Sequence, residues 1–199
     1  MEEYARLISK PHIMARRRSR IESIIEDNSV EEKIFCTSFE TKIGQVYIAS
    51  TEKGLCKISI PKESKKDFIG WLRQHFSPES VVENKSRNKD VIDQLNRYFN
   101  GKLVKFTCDI DIRGTAFQLR VWKEISKISY GMMSTYKQIA KKVGTPGGFQ
   151  AVGRAVGSNP LPIIIPCHRV AGSDGSMTGY VSGVKTKEFL LQLEGAILL

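Results

Sequence analysis

Apolar residues recur along this chain at two spacings, and each spacing predicts a different kind of element. Between residues 34 and 60, segments rich in Val, Ile, Tyr, Phe and Thr are interrupted by Gly44 and by residues 52–54, which predicts three short antiparallel strands. Two segments with apolar residues three or four apart follow and predict helices; their apolar faces are Phe68, Trp71, Leu72 and Phe76, and then Val91, Leu95, Tyr98 and Phe99. The alternating segment 106–112 predicts a last strand, so residues 34–113 read as a small α+β domain.

From Thr115 onward the pattern becomes mostly helical, with glycine and proline marking the ends of the helices. Thr115 is a suitable N-cap for a first helix, and Ser134 or Thr135 for a second one that ends at Gly144. A third helix, rich in Ala and Gly, follows after a tight turn. Two short helices joined by such a turn are typical of a helix-turn-helix, although any pair of antiparallel helices gives a similar pattern. Residues 114–199 therefore read as a mostly helical domain.

Residues 1–33 are charged and helix-prone, and Pro11 divides them into two short helices or a partly mobile arm. The chain has no run of 18 apolar residues and no apolar signal region, so we expect neither a membrane span nor secretion. Cys36, Cys56 and Cys108 are most simply buried apolar residues, with one disulfide among them left open. Cysteine spacing of this kind favours a reducing, intracellular location, in the cytoplasm or the nucleus.

Charge adds a candidate partner. The formal net charge is +10 and the pI is about 9.5, which indicates either a well-solvated surface or a polyanionic partner such as nucleic acid. From residue 116 to the end, ten Lys and Arg face four Asp and Glu, a balance of 10 − 4 = +6. The basic excess therefore belongs in large part to the predicted helix-turn-helix region.

Candidate chemistry is concentrated at Cys167 and His168, which follow three isoleucines and a proline. A thiol attacks as its thiolate, a neighbouring imidazole can accept the proton, and a carboxylate can orient the imidazole. Adjacent side chains diverge in extended backbone, so proton transfer would need a turn at Cys-His or a bridging water. A buried cysteine with an incidental histidine is the alternative that the residues leave open.

Four segments, beginning RGTAFQLRVW, STYKQIAKKVG, GRAVGSNPLPIIIPCHRV and GSMTGYVSGVKTKEF, together resemble the O6-alkylguanine-DNA alkyltransferases. The signature of that family is Pro-Cys-His-Arg-Val, here Pro166 to Val170, and the resemblance runs from Thr115 to Gly195 with the internal spacing of the family. Residues 36–112 resemble its N-terminal domain. The resemblance implies DNA repair in a single turnover, in which an O6-alkylguanine is flipped out of the duplex and its alkyl group is transferred irreversibly to a cysteine.

Carried over by position, the resemblance makes Cys167 the alkyl acceptor. It makes His168 a base acting through a water and Glu194 the carboxylate that orients this base. Asn159 would hold the turn before the active site. Tyr136 would contact the base, crowd its phosphate and supply a proton to the departing guanine.

Further residues correspond to the substrate and DNA contacts of the family. Tyr180 would line the pocket, the backbone of Cys167 and Val170 would read the guanine edge, and Arg169 would serve structure more than chemistry. Gln150 stands where the family usually has an arginine that fills the gap in the base stack, which predicts weaker duplex binding or slower flipping. Arg154 or an apolar wedge at Phe149 would then compensate.

Two more departures from the family concern the pocket and a metal. Val181, followed by Ser182, replaces a serine that some members place near the guanine O6. Glu32, Thr51 and Cys56 align with the zinc ligands of some members and would not make a closed zinc site. We therefore expect no metal and no cofactor.

The expected partner is double-stranded DNA carrying O6-alkylguanine, the expected state is a monomer, and no membrane association is expected. Two other functions stay open at this point. One is a lesion-binding module without transfer, which the intact Cys167 disfavours. The other is a helix-turn-helix regulator that uses alkylation of the cysteine as a signal.

Overall fold

Residues 32–177, 180 and 182–198 are described by the computed structural model. The helical extension predicted for residues 1–33 lies outside these residues except for Glu32 and Lys33, which lead into the first strand. Within the described residues, no helix is long and apolar enough to cross a membrane.

The first half of the described chain forms a four-stranded sheet in the order β3-β2-β1-β4. The strands β1 (Ile34–Thr41), β2 (Gly44–Ser50) and β3 (Leu55–Ser59) are antiparallel neighbours, which confirms the three predicted strands. The fourth strand, β4 (Val81–Glu83), pairs in parallel with β1 and was not predicted. Three residues are too few to show an alternating pattern, and their pairing is long-range.

The alternating segment 106–112 does not form the strand predicted for it. Ile110 forms a single bridge with Leu55, whose N–H donates to Asp109 O and whose carbonyl accepts from Asp111 N. Farther along the same edge, β3 bonds to another segment instead.

That segment is a turn from the C-terminal half of the chain: the N–H of Ile58 in β3 donates to Pro160 O at 2.8 Å. Gly54 permits the close approach of the linker, which is the segment 106–112, since a Cβ at Gly54 would lie 2.6 Å from the backbone of Asp109. The linker and the turn together cover the edge of β3. The N-terminal sheet is thereby bonded to the segment that leads to Cys167.

Two helices cover the two faces of this sheet. Helix α1 (Lys65–His75) begins with a capping box between Ser64 and Asp67 and packs Phe68 and Leu72 into one apolar cluster. Helix α2 (Lys89–Phe99) packs into a second, larger cluster. This second cluster continues without a break into the C-terminal helices, so both halves of the chain share one core.

The described residues of the C-terminal half contain four α-helices. They are α3 (Ala116–Ile125), α4 (Tyr136–Lys142), α5 (Phe149–Gly157) and α6 (Val184–Leu193). Capping boxes begin α3 at Thr115 and α4 at Thr135, as the sequence predicts. Helices α4 and α5 pack against each other and against α3, which confirms the helix-turn-helix. A short parallel pair, β5 (Ser134–Thr135) and β6 (Val170–Ala171), joins the start of α4 to the segment after Cys167.

Candidate active site

Cys167 is the first residue of one turn of 3-10 helix, Cys167–Arg169, and is 4% exposed. The three apolar isoleucines before it lie in a turn and not in a strand. Ile163 has a left-handed φ of 78°, and Ile165 N donates back to Leu161 O. The nucleophile candidate is therefore presented on a tight turn.

Asn159 holds this turn through three hydrogen bonds. Its Nδ2 donates to Ile165 O at 2.8 Å and to Cys167 Sγ at 3.1 Å, and its Oδ1 accepts from Leu161 N at 3.0 Å. An extended strand would carry these partners away from Asn159, so the side chain favours the turn over the strand. The same amide that fixes the backbone thus contacts the thiol sulfur.

His168 is completely buried and points toward a carboxylate. Its Nε2 lies 2.8 Å from Glu194 Oε1, whereas its Nδ1 has no hydrogen bond to any described residue. Because a carboxylate only accepts hydrogen bonds, Nε2 carries the proton and Nδ1 is left as an acceptor. The imidazole is therefore held in the tautomer that can take up a proton at Nδ1.

Glu194 is the centre of a buried polar network rather than a solvated charge at a helix end. Arg169 donates to both carboxylate oxygens, from Nε at 2.8 Å and from Nη2 at 2.9 Å. The hydroxyl of Tyr98 in α2 donates to Oε1 at 2.6 Å, and Gly131 N approaches Oε2 at 3.4 Å. Arg169 also binds Ile128 O, so it joins the loop after α3 to the end of α6. The expectation that Arg169 serves structure agrees with these contacts.

These contacts explain the direction of each pKa shift. Burial opposes ionisation of Glu194, but the hydrogen bonds from His168 and Arg169 outweigh it and lower its pKa to about 2. Burial lowers the pKa of His168, and Glu194 opposes this shift only in part. The lowered pKa favours the neutral imidazole. Burial raises the pKa of Cys167 to about 11 against the hydrogen bond from Asn159. Near neutral pH the site thus holds a thiol, a neutral base and a carboxylate.

Lys187 is a second buried cation, and the sequence analysis missed it. It is fully buried in α6, and its Nζ donates to Val170 O at 2.6 Å. Its charge lowers the pKa of Cys167, although less than Asn159 does. The available signal was periodicity, since Lys187 lies three residues before Leu190 on the apolar stripe of its helix.

A cavity of about 160 Å³ opens beside Cys167. Tyr180 and Ser182 line it, and both are 7% exposed with hydroxyls that make no hydrogen bond to any described residue. Residues from the N-terminal half of the chain, among them Lys57 and Glu63, also line it. Val181, which we expected to line the pocket, lies outside the described residues.

Tyr136 and Val170 lie next to this site by way of the β5–β6 pair. Tyr136 is the first residue of α4 and is partly buried; burial and the negative charge of an ionised Cys167 raise its pKa. Val170 is buried in β6, and Lys187 already occupies its carbonyl, which we expected to read the guanine edge. A carbonyl has two lone pairs, so one acceptor position of Val170 is compatible with a second donor.

Three predicted DNA contacts lie on the outer surface of α5, away from the thiol. Phe149 is 52% exposed, and Gln150 and Arg154 are exposed as well. Helix α4 adds exposed lysines at 137, 141 and 142. The helix-turn-helix therefore presents a basic, solvent-facing surface with one exposed aromatic ring.

The residues aligned with zinc ligands are engaged in other contacts. Thr51 donates to Asp111 at 2.7 Å, Glu32 pairs with Arg113, and Cys56 Sγ donates to Ala49 O. Within the described residues, no group of three His, Cys, Asp or Glu side chains is placed to hold a metal ion. All four cysteines are free thiols.

Comparison with known protein families identifies the family of this chain. Residues 116–196 match the family model described as 6-O-methylguanine DNA methyltransferase, DNA binding domain. Residues 34–112 match the model described as 6-O-methylguanine DNA methyltransferase, ribonuclease-like domain. The chain belongs to the O6-methylguanine DNA methyltransferase family.

Individual members of the family are similar over most of this chain. The methylated-DNA–protein-cysteine methyltransferase of Methanosarcina barkeri is 45% identical over 155 residues, which are 78% of this chain and 93% of that protein. The inducible methylated-DNA–protein-cysteine methyltransferase of Bacillus subtilis is 38% identical over 148 residues, 74% of this chain and 83% of that one. The crystal structure of Mycobacterium tuberculosis OGT in complex with DNA is 36% identical, with a TM-score of 0.70 over 81% of this chain and 93% of that chain.

Proposed function

We propose that this member of the family repairs alkylated DNA by transferring the alkyl group of O6-alkylguanine to Cys167, which makes it a methylated-DNA–protein-cysteine methyltransferase. The observation that carries the proposal is the buried thiol of Cys167. Cys167 contacts Asn159 through this thiol, directly precedes the base His168 that Glu194 holds, and lines a cavity. Such a buried thiol next to a neutral imidazole suits nucleophilic attack.

His168 removes the proton of the thiol. Its Nδ1 is the free acceptor of the ring, and since no direct side-chain bond joins His168 to Cys167 among the described residues, a water carries the proton between them. Glu194 keeps the opposite nitrogen protonated and stabilises the imidazolium that forms. Burial makes this base necessary, because a thiol whose pKa is about 11 is almost entirely protonated at neutral pH.

The thiolate then attacks the alkyl carbon in line with the bond to O6. A carbon–sulfur bond forms at Cys167 as the carbon–O6 bond breaks, and the electron pair leaves with guanine. The departing guanine gains a proton from Tyr136, the first residue of α4, and the proton that His168 took from the thiol is released to solvent, from which Tyr136 regains one. The thioether has no leaving group that would regenerate the thiol, so each molecule acts once, without metal or cofactor.

The helix-turn-helix supplies the DNA contacts. The lysines of α4 and Arg154 of α5 neutralise phosphates, and the damaged nucleotide rotates out of the stack into the cavity. Gln150 or Phe149 occupies the gap that the nucleotide leaves, without the charge that an arginine would bring. We expect the protein to act on DNA as a monomer inside the cell.

A mass spectrum tests the proposal directly. After incubation with duplex DNA that contains O6-methylguanine, we expect the peptide with Cys167 to gain one methylene and the DNA to contain guanine. Cys167→Ala should show no transfer, whereas Cys108→Ala, a half-buried cysteine outside the cavity, should react like the wild type. An unmodified Cys167 peptide in the wild type would refute transfer and leave a DNA-binding module without chemistry.

A further inference from the structure

A groove separate from the cavity beside Cys167 lies along the alternating segment 106–112, which does not form a strand. Apolar residues at every second position line this groove; they are Val104, Phe106, Cys108 and Ile110. The groove has a volume of about 720 Å³, which is within the range of known binding sites. The alternation that predicted a strand therefore gives the groove its apolar lining.

The groove also reaches the turn that carries the nucleophile. Residues 163–166, which directly precede Cys167, line it, and so does Ile128 after α3. Val104 is 64% exposed and Ile110 is 42% exposed, so part of this apolar lining is in contact with solvent. Neighbouring exposed apolar side chains are typical of a surface that binds another protein.

The charged side chains that line the groove are all cations. Arg169 is paired with Glu194 and Lys127 with Glu124, whereas the exposed Lys105 forms no ion pair with any described residue. No Asp or Glu among the described residues lines the groove. A bound molecule with carboxylates would therefore find a complementary charge at Lys105 and no carboxylate in the lining to repel it.

From this lining we propose that the groove binds an acidic segment of a partner protein that also carries apolar side chains. Its apolar side chains pack against Val104, Phe106 and Ile110, and one of its carboxylates pairs with Lys105. The groove and the cavity beside Cys167 share no lining residue, and no residue of α4 or α5 lines the groove. The partner is therefore held next to the active site without covering the cavity or the helix-turn-helix.

Three short peptides with the same fluorescent label test the inference by fluorescence anisotropy with the full-length protein. The first peptide alternates Asp with Leu and Phe, the second has Lys in place of Asp, and the third has Ser in place of Leu and Phe. We expect the first to bind about 10-fold tighter than the other two, because it alone supplies both carboxylates and apolar side chains. Saturating duplex DNA should not displace it, since DNA binds the helix-turn-helix.

Variants of the groove locate the binding site of the first peptide. Val104→Asp and Lys105→Glu should each weaken its binding about 3- to 10-fold, since one removes an apolar contact and the other reverses a charge. Both positions are exposed, so the fold should be retained, which thermal unfolding checks. The matched controls are Val82→Asp and Lys66→Glu, which make the same changes at exposed positions outside the groove and should leave the affinity unchanged.

Four results would overturn the inference. The first two are no binding of the acidic apolar peptide, or equal affinity for all three peptides. Weakening by the control variants as large as that by the groove variants, or displacement by duplex DNA, would place the peptide elsewhere on the surface. A wild-type dimer that Val104→Asp dissociates would assign the groove to a second copy of the chain instead. Alkyl transfer to Cys167 is measured separately, so failure of this inference leaves the proposed function standing.

Discussion

Replacing His168 by glutamine should change the pH dependence of alkyl transfer, not only its rate. Glutamine has an N–H that can donate to Glu194 in place of Nε2, but it has no group that takes up a proton near neutral pH. The variant therefore keeps a hydrogen-bond donor toward the carboxylate and loses the base. Attack must then wait for the thiol of Cys167 to ionise without help.

The expected change of the transfer rate with pH follows from the pKa shifts of His168 and Cys167. In the wild type, burial lowers the pKa of His168 below its ordinary value of 6.5 and raises that of Cys167 to about 11, so the thiol and the neutral base coexist between these values. The rate should be level from pH 7 to 9 and fall below pH 6.5 as His168 gains a proton. In His168→Gln, the thiolate fraction rises from about 0.01% at pH 7 to about 1% at pH 9, and the rate should rise about 100-fold.

The assay is the second-order rate of methyl transfer from excess O6-methylguanine duplex, measured by rapid quenching at constant ionic strength. His75→Gln is the matched control, because His75 is an exposed histidine in α1 and its loss should leave the level profile unchanged. Thermal unfolding of each variant at the assay pH would check that the fold is retained.

Two results would refute the reasoning. A wild-type rate that climbs tenfold per pH unit from pH 7 to 9 would mean that His168 does not act as the base. A level profile in His168→Gln would mean that ionisation of Cys167 does not limit the reaction in its absence.

Glu194→Gln should lower the free energy of unfolding by about 3–5 kcal/mol in urea at pH 7, because it leaves buried Arg169 without its counter-charge; a loss under 1 kcal/mol would contradict a paired buried charge. The pKa of Glu194 is lowered to about 2 from 4.5, so the stability due to its ionised form is fully present above pH 4.5 and is lost as pH falls toward 2; the variant should show a weaker acid dependence. Tyr98→Phe should cost about 1.5–3 kcal/mol, the range for a hydrogen bond to a charged group, and an unchanged urea midpoint would argue against that bond. Gln150→Arg should tighten duplex binding and speed repair of duplex DNA, and no change in Kd or rate would show that the glutamine is not limiting. Duplex affinity of the wild type should fall linearly with salt on logarithmic axes, whereas an affinity that does not depend on salt would contradict phosphate binding by α4.

Local features of this protein could be predicted from the sequence because their causes are local. Thr115 and Thr135 cap helices through bonds to residues three positions away, and the apolar faces of the helices repeat within a few residues. The signature around Cys167 and its spacing to Asn159 and Glu194 indicated a common site. The family membership follows from the same local patterns taken together.

Contacts between distant segments could not be predicted in this way. Residues 163–165 are apolar enough for a strand, but the three hydrogen bonds of Asn159 make them a turn. Residues 106–112 alternate like a strand, but they pair with β3 only at Leu55, and Ile58 of β3 bonds to the turn at Pro160 instead. In the first case the side-chain bonds of Asn159 to residues two to eight positions away outweigh the apolar pattern, and in the second case a long-range contact does.

The charge states of the site residues show most clearly the difference between what local sequence determines and what long-range contacts decide. The sequence by itself determined which groups are present: a thiol, an imidazole and a carboxylate in a family signature. Only the tertiary structure decided that Tyr98, from the other half of the chain, completes the network of Glu194, and that Lys187 is buried behind Val170. The physical reason is that burial and long-range hydrogen bonds set the charge state of each group, and both depend on segments that meet only when the chain folds.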